Sequence, residues 1–328
     1  MSYDVIGIGN AIVDVIGAAE DTFLDHMGIE KGIMQLIEKD RAEVLYAAMT
    51  ERVETPGGSV ANTIAGLGSL GLSTAFIGKV KDDALGRFYA KGMEDAGTAF
   101  PNPPVPDATA PTSRSMIFVS PDGERSMNTY LGAGADLDQK DVPADIFSGS
   151  KMLFLEGYLF DKDHGKTAFA EAARLMRAAG GKSGITLSDP FCADRHRADF
   201  QDLIANEMDF VLGNAAEWTT LYETDDLESA VAQAAAVCDV VVCTHSGKPV
   251  WIHAGDQHIQ VPVTPVTPVD ATGAGDQFAT GFLFGLSRGL SLETCGRMGV
   301  VAAAEVIGHI GPRPKADLSD LFKSAGLF

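Results

Sequence analysis

The chain has 328 residues, of which 45% are hydrophobic and 21% charged, with a formal net charge of −20. This composition supports a sizeable core and excludes wholesale disorder; the length suits one large α/β domain with an insert, or two ordinary domains. The acidity argues against nucleic acid as a partner, because phosphate backbones bind basic surface, but a few local donors suffice for a nucleotide. No apolar run is long enough to span a membrane, and no basic region followed by an apolar stretch reads as a secretory leader. Cys192, Cys238, Cys243 and Cys295 are scattered and lack C-x-x-C spacing, so reduced thiols in the cytoplasm are expected.

Taken in chain order, a short strand covers Tyr3 to Ile8 and a closely packed helix runs from Ser59 to Leu70, with Val60, Ile64 and Leu67 on one side. Ala75 to Val80 is strand-like. Leu85, Phe88, Tyr89, Gly92, Met93 and Ala96 recur at helical spacing before the stop signal Gly97. Met152 to Leu155, Ile185 to Leu187, Phe210 to Leu212 and Val240 to Cys243 read as buried strands, and Phe169, Ala172, Leu175, Met176 and Ala179 mark a helix between the first two. Such alternation predicts a mostly parallel sheet covered by helices on both faces.

Two stretches break the rhythm. Residues 101–111 carry five prolines and form a stiff connector. A hairpin is expected after it, from Ser115 to Val119, through a turn at Ser120-Pro121-Asp122-Gly123, to Arg125 to Leu131. Residues 14–39 also lack a βα rhythm. The predicted division is a large α/β domain of residues 1–13, 40–104 and 132–328, with residues 14–39 and 105–131 forming a small β-sheet lid.

Three glycine-rich segments mislead. Gly7-Ile8-Gly9-Asn10-Ala11-Ile12 begins like a dinucleotide fingerprint but has Ile12 at the third glycine position. Gly66-Leu67-Gly68-Ser69-Leu70-Gly71 fits that fingerprint but falls inside or at the end of a predicted helix. Gly165-Lys166-Thr167 resembles the end of a P-loop, yet Phe160 stands where its first glycine belongs.

The strongest local signal is Val269-Asp270-Ala271-Thr272-Gly273-Ala274-Gly275-Asp276, which runs into an apolar helix with Phe278, Phe282 and Leu286 on one face. A helix starting at Gly273, Ala274 and Gly275 presents unpaired backbone N–H groups and the positive end of its dipole. Small residues let a phosphate approach those amides. A carboxylate at Asp276 can then take a proton from an attacking hydroxyl while the amides hold charge on the transferring phosphoryl group. An isolated Gly-Ala-Gly-Asp serves equally as a helix start whose acid favours the dipole.

The segment 270–276 resembles the signature of the ribokinase-type (PfkB) family of carbohydrate and nucleoside kinases, departing from it only at Ala271, and further motifs follow in family order. The resemblance implies a ribokinase-like αβα sandwich with a β-sheet lid, ATP as co-substrate, Mg²⁺ and, in some members, K⁺ near Asp270 and Gly311. By the same resemblance Asn10 and Asp14, in Gly9-Asn10-Ala11-Ile12-Val13-Asp14, contact the acceptor, as do Gly57, Gly58 and Asn62. Asn214-Ala215-Ala216-Glu217 matches the element that organises phosphate and magnesium, with Glu217 acting through water, since Mg²⁺ retains several waters. Asn214 is equally suited to cap a helix.

The acceptor is less defined, because one fold hosts many substrates. Asn10 to Asp14, the lid element Gly123-Glu124-Arg125-Ser126-Met127, Leu187 to Phe191 and the ending Ile307 to Pro314 resemble bacterial adenosine kinases, in which Arg125 would approach the phosphates. That implies transfer to the 5′-hydroxyl of adenosine, with Met34, Leu36, Tyr158 and Phe118 as candidate walls for the base. A sugar kinase of the same fold is the alternative. A non-enzymatic sensor is disfavoured by Asp276, and an NAD-dependent oxidoreductase by the broken fingerprint at Gly7 to Ile12. Monomer and homodimer are both compatible with the sequence.

Overall fold

The computed structural model describes residues 2–328. Its strands are β1 (Val5–Ile8), β2 (Ile12–Ala18), β3 (Met34–Leu36), β4 (Val53–Gly57), β5 (Thr74–Ile77), β6 (Thr98–Ala99), β7 (Ser113–Val119), β8 (Arg125–Tyr130), β9 (Met152–Glu156), β10 (Lys182–Thr186), β11 (Phe210–Asn214), β12 (Val240–His245), β13 (Lys248–Ala254) and β14 (Gln257–Val261). Nine of them form one sheet in the order β14-β13-β12-β11-β10-β9-β1-β5-β6, parallel except for the β12-β13-β14 meander. Every residue of β1 is buried, as expected for a central parallel strand covered on both faces.

Two apolar layers cover this sheet. One packs Val60 and Ile64 of the helix Ser59–Ser69 with Phe282 of the helix Ala274–Ser287. The other packs Phe169 of the helix Asp163–Ala178 with Trp218 of the helix Ala215–Leu221. The first pair of helices lies close because Gly66 has no side chain: a Cβ there would come within 2.7 Å of Thr280 Oγ1. The first glycine of that false fingerprint thus serves helix packing, and Gly165-Lys166-Thr167 lies within a helix, where no P-loop can form.

The remaining five strands form a second, smaller sheet in the order β3-β8-β7-β2-β4. Its β7–β8 hairpin is the one the sequence predicts. The sheet also takes Ile12 and Val13 at the start of β2, and the whole of β4, segments assigned in advance to the large domain. Pro56 and Gly57 obscure β4 in the sequence, and Pro56 is tolerated because β4 is an edge strand. Alternation gives this sheet two distinct faces. Val13, Val15, Met116 and Phe118 pack into the core, while Asp14, Ser115, Ile117, Arg125 and Met127 face a cavity shared with the large sheet.

Candidate active site

The cavity is about 710 Å³ and lies at the carboxyl ends of β1 and β9, beneath the small sheet, the usual ligand position in open α/β sheets. Its floor includes the start of the helix Ala274–Ser287. Gly273, in the left-handed region at φ 79°, turns the chain into this helix and sits against Pro312. Ala274 N–H donates back to the Ala271 carbonyl (3.2 Å), and nothing lies within 4 Å of where a side chain on Gly275 would project. Gly273 and Asp276 line the cavity, whereas Ala274 and Gly275 do not.

Asp276 is held in the first turn by two donors from the neighbouring helix, Ser59 Oγ to Oδ1 (2.7 Å) and Asn62 Nδ2 to Oδ2 (3.0 Å). Burial raises its pKa from 3.8 to about 6, against the lowering effect of Asn62, Ser59 and the Arg313 guanidinium. A carboxylate with that value is ionised at neutral pH yet basic enough to accept a proton.

The remaining expected acceptor contacts converge on the same space. Asn10 and Asn62 are 2% and 3% exposed, and Asp14 projects from β2 into the cavity. Gly57 makes room for the Asp14 carboxylate, which a Cβ at that position would overlap. Gly58 holds φ at 100° as β4 turns into the helix Ser59–Ser69, and a Cβ there would run into the Asn10 carbonyl. Burial raises the Asp14 pKa to about 7, with Arg125 and Arg313 opposing the shift.

Arg125 reaches from β8 across to the large domain, where it ion-pairs with Asp270; both side chains are buried. The Asp270 carboxylate also accepts from the Thr272 and Gly311 amides, at 2.9 Å each. The oxygens expected near a monovalent cation are therefore engaged by N–H donors. Asn214 and Glu217 do not line the cavity. They close a reciprocal cap at the start of the helix Ala215–Leu221, Asn214 N–H donating to Glu217 Oε2 (2.8 Å) and Glu217 N–H to Asn214 Oδ1 (3.0 Å). Burial raises the Glu217 pKa to about 7.

Of the four side chains expected around a base, Met34, Leu36 and Tyr158 line the cavity. Phe118 does not. It points to the opposite face of the small sheet, 5.6 Å from the Phe23 ring, because strand alternation gives Ser115 and Ile117 the cavity face.

Two site residues escaped the sequence reading. Glu156 ends β9, is 1% exposed, and accepts from the Asn10 amide (3.1 Å), Asn10 Nδ2 (2.9 Å) and the Val60 amide (3.0 Å). Burial raises its pKa to about 7, and Asp276 adds to the rise. The available signal was a carboxylate at the carboxyl end of a buried parallel strand. Arg313 donates from Nε to Asn62 Oδ1 (3.2 Å). Asp14, Glu156 and Asp276 therefore share one site with two cations, Arg125 and Arg313.

A helix start, a carboxylate of raised pKa in its first turn and a deep cavity meet in one place, an arrangement suited to phosphoryl transfer to a hydroxyl. The chain matches the family described as pfkB family carbohydrate kinase over residues 27–318 and belongs to it. It is 43% identical to a probable sugar kinase protein from Rhizobium etli, with a TM-score of 0.93 and coverage of 99% of each chain. It is 45% identical to an adenosine kinase from Sinorhizobium meliloti, with a TM-score of 0.92 over 98% of this chain and 99% of that one. A 5-dehydro-2-deoxygluconokinase from Bacillus licheniformis is 28% identical over 315 residues, 93% of this chain and 90% of that protein. The protein is thus a phosphotransferase with a hydroxyl acceptor, a sugar or nucleoside kinase with the ribokinase-like fold, from a family that uses ATP as co-substrate. Among the described residues, no helix is long and apolar enough to cross a membrane.

Proposed function

We propose that the enzyme transfers the γ-phosphoryl group of ATP to the 5′-hydroxyl of adenosine. The observation that carries this reading is the two-ended cavity. One end is polar, with Asn10, Asp14, Asn62 and Asp276; the other is an apolar patch of the small sheet, where Met34 pairs with Met127 and Met127 with Ile117, and Leu36 and Tyr158 also line the cavity. A ribose suits the first end and a planar base the second. The likeness to the Sinorhizobium meliloti adenosine kinase supports the same assignment.

In this reading Asp276 accepts the 5′-hydroxyl proton as the oxygen bonds to the γ-phosphorus, and the bond from that phosphorus to the β-phosphate oxygen breaks to release ADP. The amides at Gly273 and Gly275 receive the developing charge, joined by the Ala274 amide as it exchanges the Ala271 carbonyl for phosphate. Asn10, Asp14, Gly57, Gly58 and Asn62 position the sugar. Arg125 exchanges Asp270 for a phosphate, and the small sheet acts as a lid that excludes water. Magnesium suits this site as a passenger on the triphosphate, where it would neutralise phosphate charge: hard oxygen donors are present, but no cage of three acidic, histidine or cysteine ligands occurs among the described residues. Glu217 would bear on it only through water, because both its oxygens serve the helix cap. The reducing cytoplasm suits the four unpaired, buried cysteines.

A sugar acceptor is the second reading, supported by the Rhizobium etli and Bacillus licheniformis relatives. The deciding experiment is kcat/KM for adenosine, inosine, ribose, fructose and 5-dehydro-2-deoxygluconate with MgATP. Adenosine should exceed every free sugar; a sugar ahead by about tenfold, or 1.4 kcal/mol of transition-state binding, overturns the nucleoside assignment.

A further inference from the structure

Arg313 lies in the loop between the helices Leu292–Val306 and Leu318–Ser324. That loop is fastened to the catalytic segment at three points. Gly311 N–H donates to Asp270 Oδ2 (2.9 Å), Gln277 Nε2 donates to the Pro312 carbonyl (3.0 Å), and Pro312 packs where a Cβ on Gly273 would stand 2.7 Å from its Cα. The next residue, Arg313, donates from Nε to Asn62 Oδ1 (3.2 Å), while Asn62 Nδ2 donates to Asp276 Oδ2 (3.0 Å). An asparagine amide can be turned end for end, but a guanidinium has only donors. With Arg313 behind it, Asn62 has one satisfied orientation, oxygen toward Arg313 and NH₂ toward Asp276.

We propose that Arg313 is a positioning residue for phosphoryl transfer, fixing the Asn62 amide so that it donates to Asp276 and placing a permanent positive charge behind the base. This rests on the reading of Asp276 as the base. The groups facing Asp276 are Ser59 and Asn62 from one helix, Arg313 from the loop, and the acids Asp14 and Glu156 from β2 and β9, both of which feel its charge. Arg125 acts on Asp14 and Asp270. Arg313 faces Tyr89, Asp14 and Asp276, and of the two arginines it is the one that acts on Asp276, where its charge favours the ionised form that burial disfavours.

The test is kcat and KM between about pH 5 and 9 for Arg313→Met and Arg313→Lys, each also in an Asn62→Ala background, with melting temperatures recorded. A base works when deprotonated, so removing the offsetting cation moves the acid limb of the kcat profile to higher pH. Arg313→Met should lower kcat at neutral pH about tenfold or more and raise the limb by about one pH unit, with the KM for ATP little changed. Arg313→Lys should restore the limb but only part of kcat, because an ammonium supplies charge without the planar donor fork. In the Asn62→Ala background Arg313→Met should cost much less in kcat, since no amide remains to be oriented. An unmoved limb with the same rate loss in both backgrounds makes Arg313 merely structural and overturns the inference. If Arg313→Met fails to fold, Arg313→Lys with full wild-type kcat in the otherwise unaltered enzyme overturns it instead. Turnover retained by Asp276→Asn sinks the base assignment itself; an inactive Asp276→Asn with an unmoved Arg313→Met limb sinks only the Arg313 role.

Discussion

Asp276→Asn separates the chemistry of the site from its architecture. The carboxylate accepts one hydrogen bond from Ser59 Oγ and one from Asn62 Nδ2. Asparagine can keep both contacts, its oxygen accepting from Asn62 and its amide donating to Ser59, whose hydroxyl accepts as readily as it donates. The Ser59 hydroxyl proton, displaced from the carboxylate, turns into the cavity that Ser59 lines, so stability should change by less than about 1 kcal/mol, and removal of an acid held at a raised pKa works in the variant's favour at neutral pH. The amide cannot take the hydroxyl proton. Loss of a general base costs about 10²–10⁴-fold, equivalent to about 3–5 kcal/mol of activation free energy. ADP release with the best acceptor of the panel should fall by that factor, while the melting temperature and the KM for ATP hold, and the residual activity should lose its acid limb near pH 6. Turnover within tenfold of wild type would refute the reasoning and shift the role of base to Glu156 or Asp14.

Three further outcomes follow from the same geometry. Gly58→Ala forces a side chain onto a backbone at φ 100° and against the Asn10 carbonyl; strain of about 1–3 kcal/mol should lower the melting temperature and raise the acceptor KM more than the ATP KM, and unchanged values of both would refute the contact. Arg125→Met removes the ion-pair partner of Asp270, which is 4% exposed; leaving one member of a buried pair costs about 3–5 kcal/mol, softened here by two backbone donors, and a KM for ATP equal to wild type would exclude Arg125 from nucleotide binding. Glu217 has its pKa raised from 4.5 to about 7, so its contribution favours folding below pH 4.5 and is lost as pH rises through 7, by up to about 3 kcal/mol at 1.36 kcal/mol per unit. Glu217→Gln should accordingly flatten the dependence of melting temperature on pH between 5 and 8, despite one weakened cap contact, and an unchanged slope would show that Glu217 is not the titrating group.

The alternation of buried strands and helices was legible because most strands of the parallel sheet hold a short apolar run of their own, as in Val5–Ile8, Met152–Leu155 and Phe210–Leu212, whereas β6, Thr98-Ala99, offers none. The β7–β8 hairpin was legible from its Pro-Asp-Gly turn. β4 was not, because Pro56 and Gly57 read as loop and only its pairing with β2 makes it a strand. Phe118 was misplaced because an aromatic in a hairpin announces burial without announcing which face is buried, and that depends on register.

Glu156 and Arg313 were missed for a different reason. Glu156 meets Asn10 across 146 residues of sequence, and Arg313 meets Asn62 across 251. No local spacing encodes either contact. The motif at 270–276 identifies an acid beside an anion site, but an acid that close to bound phosphate and two other carboxylates works as a base only if something sets its ionisation. In this fold that function falls to residues outside the motif. Ser59 and Asn62 supply hydrogen bonds from the adjoining helix, Arg313 supplies charge from the C-terminal loop, and Asp14 and Glu156 raise the electrostatic cost of every added negative charge. In the proposed mechanism the signature supplies the atom that takes the proton, and the long-range contacts set the pH at which it can do so.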